Sequence, residues 1–186
     1  ETRIELKEPV RGEDVVIIQT GYSYVGLSVN DIVMETVLLI DACRRSMSKT
    51  ITLLMPLYPY SRQDRKDSSR APISAAVCAK LYENAGLNRM ICMDLHAPQI
   101  QGFFRIPVDN LYASPVFALD IIHQFSGNLN DMMVVSPDVG GVARTRALAT
   151  RIKADLAIID KRRPAPGKSE VMNIIGDVKD KTCILL

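Results

Sequence analysis

The sequence predicts an α/β protein built on mainly parallel sheets flanked by helices and divided into two domains. Three observations predict this. Short apolar runs at 14–20, 51–57, 90–96, 132–136 and 156–160 alternate with stretches of helical apolar spacing, the pattern of strand–helix–strand units. Charged or glycine-containing stretches follow several of those runs, at the carboxyl ends of the strands, where open α/β sheets bind ligands. An irregular connector over 99–112, containing prolines and aromatic residues, separates the two halves and predicts domains at 1–112 and 113–186.

Composition narrows the class. The chain has 186 residues, 47% of them hydrophobic and 24% charged, enough to bury a real core and ordinary for a globular protein. Lys and Arg number 23 against 21 Asp and Glu, a balance that gives no argument for nucleic acid or membrane partners. No apolar run reaches membrane-spanning length and no secretory leader is visible. The four cysteines, Cys43, Cys78, Cys92 and Cys183, are widely spaced in apolar segments with no Cys-x-x-Cys pair. Buried reduced thiols in a cytoplasmic protein are therefore expected.

Taken in order, residues 1–6 alternate loosely and predict a strand, and 7–14 a turn-rich connector. The β-branched run 14–20 is a strand. Residues 21–28 form a loop with two tyrosines and two glycines. Asn30 or Asp31 is expected to cap a helix that ends with Arg44 and Arg45 in its last turn, where cations suit the dipole. After the strand at 51–57 comes the densest charge cluster, Tyr60-Ser-Arg-Gln-Asp-Arg-Lys-Asp-Ser-Ser-Arg70. A helix follows Pro72 and ends near Asn84-Ala-Gly86. The cluster thus sits between a strand end and a helix start, where Arg62, Arg65, Lys66 and Arg70 suit a polyphosphate. Taken alone, such a charge run is more often a solvated loop.

In the strand at 90–96, Asp94 and His96 are two apart and are expected to project from one side of its carboxyl end, an arrangement suited to metal binding or proton transfer. A hydrogen-bonded histidine at a strand end is the commoner outcome. The second of the two histidines, His123, falls in a helix-like stretch and reads as structural or exposed. Aromatic residues of the connector are expected in the core. The strand at 132–136 leads through Asp138 and Gly140-Gly141 into a helix at 142–152. Glycines there let backbone amides approach an anion, and Asp138 is placed to meet a metal or a ribose hydroxyl, although the stretch lacks the dinucleotide fingerprint. After the strand at 156–160, Lys161-Arg-Arg-Pro-Ala-Pro-Gly-Lys168 reads as a mobile basic loop or a solvated hairpin tip. Residues 171–178 and the strand at 182–186 close the sequence. These features together describe a polyphosphate site with a divalent cation, without the Walker A sequence of phosphate-loop ATPases.

Six motifs in collinear order make the resemblance specific: Arg62-Gln-Asp-Arg-Lys-Asp67, Met93-Asp-Leu-His96, Gln99-Ile-Gln-Gly-Phe-Phe104, Pro107-Val-Asp-Asn-Leu-Tyr112, Val135-Ser-Pro-Asp-Val-Gly-Gly141 and Ile159-Asp-Lys-Arg-Arg-Pro164. The chain closely resembles the ribose-phosphate pyrophosphokinases (phosphoribosyl pyrophosphate synthetases). The resemblance implies two domains of phosphoribosyltransferase type I fold. It implies transfer of the β,γ-diphosphoryl group of ATP to the 1-hydroxyl of ribose 5-phosphate, with magnesium, in dimers assembling to a hexamer. Arg62, Gln63 and Asp67 match the family's ATP-binding loop. Glu1 matches an acidic residue that helps bind the adenine in the adjacent subunit. His96 matches a nucleotide- and magnesium-associated position, and Asp138 a magnesium-associated one. Lys161 and Arg163 match cations that stabilise the transferring group, and Arg11 falls near a regulatory phosphate site.

Two departures accompany the match. The family's phosphoribosyl-binding loop, an Asp-Asp-x-x-Asp-Thr-x-Gly-Thr pattern, is expected directly after Leu186, and an aromatic-and-Asn adenine loop directly before Glu1, so the resemblance implies a fragment lacking both ends. The loop at 21–28 is also longer than is usual in the family. The alternative function is a non-catalytic associated subunit of the same fold. The intact cations at 62–67 and 161–163 favour the enzyme. A phosphoribosyltransferase is disfavoured by the His96 stretch and the Arg-Gln-Asp loop.

Overall fold

A computed structural model describes residues 2–24, 26–125, 129–165 and 168–186, with backbone alone for 162–165 and 168–172. The chain clusters into two compact units, Glu1–Tyr112 and Ala113–Leu186.

In the first unit, β1 (Asp14–Ile18), β2 (Thr50–Leu54), β3 (Arg89–Met93) and β4 (Val108–Leu111) form one sheet in that order. Every neighbouring pair is parallel. Helix α1 (Val29–Arg45) joins β1 to β2, and α2 (Ser74–Ala85) joins β2 to β3. Each strand is added on the same side of the last, so right-handed crossovers put both helices on one face. The core lies between them. Ile17, Ile51, Leu53, Met90 and Cys92 from the sheet meet Ile40, Cys43, Ala75, Ala79 and Tyr82 from the helices. On the other face apolar side chains meet solvent: Val16 is 59% exposed, Ile18 75% and Leu111 49%.

The helix starts and stops have identifiable causes. The cap of α1 is Ser28 rather than Asn30 or Asp31. Ser28 Oγ accepts the Asp31 amide at 3.2 Å, and Asp31 Oδ2 accepts the Ser28 amide at 2.8 Å. This reciprocal box satisfies two orphan donors at once, which a lone Asx cap does not. Helix α2 stops at Gly86, whose φ of +121° lies in the region that glycine adopts without strain. A side chain there would also strike Arg44, whose Cδ would lie 2.6 Å from the new Cβ.

Two expectations about strands and the connector also fail in this unit. Residues 2–6 form no strand; the sheet begins at β1, and Leu6 instead packs partly buried against the core. The connector is more ordered than expected, with a 3-10 turn at Pro98–Phe103 and the edge strand β4. Asp109 and Asn110 disfavour strand in isolation, but pairing to β3 overrides propensity at an edge. Phe104 is buried as expected, with its ring 5.8 Å from Tyr58 and edge-on to it.

In the second unit the sheet order is β7 (Lys168–Ile175), β6 (Asp155–Ala165), β5 (Met132–Ser136), β8 (Thr182–Leu185). β5 pairs in parallel with β6 and β8, and β6 with β7 is antiparallel. All five β5 residues are buried, which explains their unbroken apolar run. Helices α3 (Ser114–Gln124) and α4 (Val142–Ile152) contribute Ala118, Leu148, Ala149 and Ile152 to one core cluster. Met133, Val135 and Ala157 form a second cluster.

The basic residues at 161–165 lie on β6, paired with β7, in line with the hairpin alternative rather than the mobile loop. Lys161 pairs with Val171, Arg162 with Glu170 and Ala165 with Lys168. The ladder is irregular between Arg162 and Ala165, and this is where Pro164, which has no amide hydrogen to offer, is accommodated. Cys183 is exposed, unlike Cys43, Cys78 and Cys92, because β8 is an edge strand with three of its four residues exposed.

Candidate functional site

The charged loop leaves the carboxyl end of β2 and is pinned at its root. Gln63 donates its amide to Tyr60 O at 2.8 Å, and its own carbonyl accepts the Ala75 amide at 3.2 Å. Its side-chain carbonyl accepts the Ser74 hydroxyl. Gln63 therefore caps α2, whose flanking Ile73 offers no side-chain acceptor. Ala76 is bonded to Ile73 O, so two of the first-turn amides of α2 are already committed. An anion here meets side-chain cations more than free amides. Tyr60 and Arg70 bracket the loop at φ of +55° and +66°, and the Tyr60 hydroxyl bonds Asn30 at the start of α1. Between them Arg62, Arg65, Lys66 and Asp67 are all exposed. Gly21 lets the loop after β1 touch the one after β2: its amide donates to Leu57 O at 2.8 Å, and a Cβ there would lie 2.2 Å from that oxygen.

His96 lies one turn beyond β3. The strand ends at Met93 and Asp94 turns to φ +46°, so the alternation expected to place Asp94 and His96 on one side does not extend through them. Three backbone amides hold the turn. Met93 donates to Pro56 O at 3.1 Å, Asp94 to Leu111 O at 2.8 Å and Leu95 to Asn110 Oδ1 at 3.1 Å. Leu95 is buried and His96 exposed. Two residues into the 3-10 turn, Gln99 donates its side-chain amide to Asp64 at 3.1 Å. The structure thus brings the loop of Arg62, Gln63 and Asp67 and the His96 turn to the same end of the first sheet and joins them. Sequence reasoning missed Gln99 and Asn110. No sequence signal marked Asn110, because its register with core-facing Cys92 exists only once β4 pairs with β3. Arg11 lies at the opposite end, just ahead of β1, exposed and beside Met47 Sδ.

In the second unit Asp138 follows β5. Its Oδ1 accepts the Gly141 amide at 3.0 Å, and its backbone carbonyl accepts the buried Ser136 hydroxyl at 2.7 Å. Gly141 is glycine for a steric reason: a Cβ would lie 2.8 Å from Ser136 Oγ. Its amide serves the Asp138 carboxylate, so the glycine pair is first a close-packing device. The Asp138 side chain is half-buried. Lys161 is half-buried on β6. The Arg163 side chain and Glu1 lie outside the described residues.

Among the described residues no three His, Cys, Asp or Glu side chains cluster to cage a metal. A cationic loop at the carboxyl end of a strand in a parallel sheet is the place where open α/β sheets bind ligands. Residues 1–86 match the N-terminal domain of ribose phosphate pyrophosphokinase. A ribose-phosphate pyrophosphokinase of Granulibacter bethesdensis is 56% identical over 100% of this chain and 58% of its own length. One from Cereibacter sphaeroides is 54% identical over 98% of this chain and 53% of its own. A crystal structure of phosphoribosylpyrophosphate synthetase from Mycobacterium smegmatis superposes with a TM-score of 0.84 at 40% identity, covering 97% of this chain and 57% of that one. The chain is similar to these proteins along its whole length, as the six motifs implied. It spans somewhat more than half the length of the curated relatives it matches.

Proposed function

We propose that this chain serves the ribose-phosphate pyrophosphokinase reaction, in which the diphosphoryl group of ATP passes to the 1-hydroxyl of ribose 5-phosphate to give 5-phosphoribosyl 1-pyrophosphate and AMP. The observation that carries the reading is the tie between two motif loops, 62–67 and 96–101, at one sheet end, in a chain whose relatives carry that name. Its two units are then two phosphoribosyltransferase type I-like domains, at 1–112 and 113–186.

In this reading Arg62, with Gln63 and Asp67, binds the nucleotide. Arg62 supplies a planar cation for phosphate or base, and Gln63 fixes the loop to α2. Exposed His96 faces the same ligand. Lys161 and Arg163 place positive charge where the transferring group develops negative charge, the main contribution a protein makes to such a step. Glu1 reaches the adenine of an adjacent subunit in a homo-oligomer of dimers forming a hexamer, in the cytoplasm. No described helix is long and apolar enough to cross a membrane.

The donor set fits magnesium carried by the nucleotide. Mg²⁺ keeps several waters and takes one or two protein groups beside phosphate oxygens, and His96 in the first unit and Asp138 in the second are each a candidate ligand of that kind. When bound, the ion neutralises phosphate charge. Asp138 is held ready for it by the Gly141 amide.

Phosphorus NMR of the protein with Mg-ATP and ribose 5-phosphate tests the proposal, using this chain and a form carrying the additional length of its relatives. AMP together with a diphosphorylated ribose is the expected result. ADP in place of AMP, or no reaction from the longer form, overturns it.

A further inference from the structure

Asn110 presents an unusual pairing of a useful and an unused end. It sits on β4 in register with Cys92, on the side where Val108 packs against the core. Its Oδ1 accepts the Leu95 amide at 3.1 Å. That assignment of oxygen follows from chemistry, since a backbone N–H needs an acceptor. Its Nδ2 is buried with no hydrogen-bond partner among the described residues. Burying an unpaired amide is unfavourable, and an aliphatic side chain of the same size at this position would avoid it. Such a replacement would orphan the Leu95 amide instead, at the residue between Asp94, with φ +46°, and His96. Asparagine is explained here by the turn it holds.

We infer that Asn110 is the positioning residue for His96. It fixes the Leu95 backbone while the buried Leu95 side chain anchors the turn from below, and Asp94 is held to Leu111 O at 2.8 Å. With the Asp94 and Leu95 amides tied to consecutive residues of β4, the direction in which the chain delivers His96 is set by that strand rather than by β3. The importance of His96 rests on the proposed function; the positioning itself does not.

The test reads the turn directly and needs neither nucleotide nor turnover. The chain has two histidines, and His123, exposed on α3, serves as internal reference. Asn110→Leu removes the acceptor and Asn110→Asp keeps it. In the unaltered chain the Leu95 amide is expected to be protected from hydrogen exchange. In Asn110→Leu it should exchange about tenfold faster or more, the loss of one hydrogen bond. The His96 imidazole resonances should move while those of His123 stay, and Asn110→Asp should restore the His96 positions. An unprotected Leu95 amide in the unaltered chain overturns the inference whether or not the leucine variant folds. So do unchanged His96 resonances in a folded Asn110→Leu protein. A negative pyrophosphokinase assay would overturn the proposed function without altering the Leu95 exchange or the His96 resonances, which keeps failure of the two ideas apart.

Discussion

Gln99 donates its side-chain amide to Asp64 Oδ2 at 3.1 Å, joining the turn after β3 to the charged loop after β2. The bond is exposed, so its contribution to folding is small, while its effect on where the loop sits is direct. Gln99→Leu is expected to lower stability by about 1 kcal/mol or less and to weaken Mg-ATP binding severalfold. Chemical denaturation and calorimetric titration separate the two effects. Unchanged nucleotide affinity would show that the tie has no part in the site.

Lys161 is half-buried on an irregular hairpin rather than on a free loop. On the proposed function, in a form carrying the additional length of its relatives, Lys161→Ala should lower turnover by about a thousandfold, as removal of a charge-stabilising group does, and leave the melting temperature within a degree or two. Steady-state kinetics beside a thermal melt checks this. Full turnover in the variant would remove Lys161 from the mechanism.

Gly141→Ala forces a Cβ against Ser136 Oγ at 2.8 Å. Overpacking at a fully buried residue costs about 1–3 kcal/mol. Ser136→Ala in the same chain removes the obstructing oxygen, so the double variant should recover part of the loss. A double-mutant cycle by urea denaturation reads the coupling, and strict additivity would rule out the steric account.

Acid should weaken the first unit through two surface carboxyls. Hydrogen bonds from Thr50 and Lys49 hold Asp14 below its ordinary value of 3.8, and those from Ser28 do the same for Asp31. Folded values below the unfolded ones stabilise above pH 3.8, and that stabilisation is lost as pH falls through the folded values. Asp31→Asn should flatten this part of the stability–pH curve. An acid limb that is unaltered in the variant would assign the loss to other groups.

Thiol labelling should divide the cysteines. Burial pushes Cys78 and Cys92 up to about 11 and raises Cys43, so these three stay protonated and enclosed at pH 8. Exposed Cys183 should react first and alone with a bulky maleimide, and mass spectrometry after digestion locates the label. Early modification of Cys78 would contradict the packing of α2.

Much of this arrangement was legible in the sequence, and the rest failed for stated physical reasons. The strand–helix alternation, the end of α2 at Gly86 and the burial of Phe104 follow from local patterns. The edge strand β4 was hidden because Asp109-Asn110 reads as a turn until β3 supplies a partner. The β6–β7 pairing was one of two readings of 161–168, and Pro164 and Gly167 left it undecided against a mobile loop. The cap of α1 moved to Ser28 because Asp31 returns the bond. For the site, residue types could be read directly, but the bonds that position them could not. Asp64 and Gln99 lie 35 positions apart, and no spacing rule reaches that far. The left-handed turn at Asp94 likewise depends on Leu111 and Asn110, which only the folded sheet brings near.

The single-sided cover of the first sheet also governs how this chain behaves as a colloid. Val16 and Ile18 lie exposed on β1, an edge strand, so one patch combines oily surface with unpaired backbone groups. Patches of that kind promote sheet-to-sheet association between molecules. With a net charge of only +2, long-range repulsion does little to oppose it. Shelf life in concentrated solution is therefore expected to depend on this face.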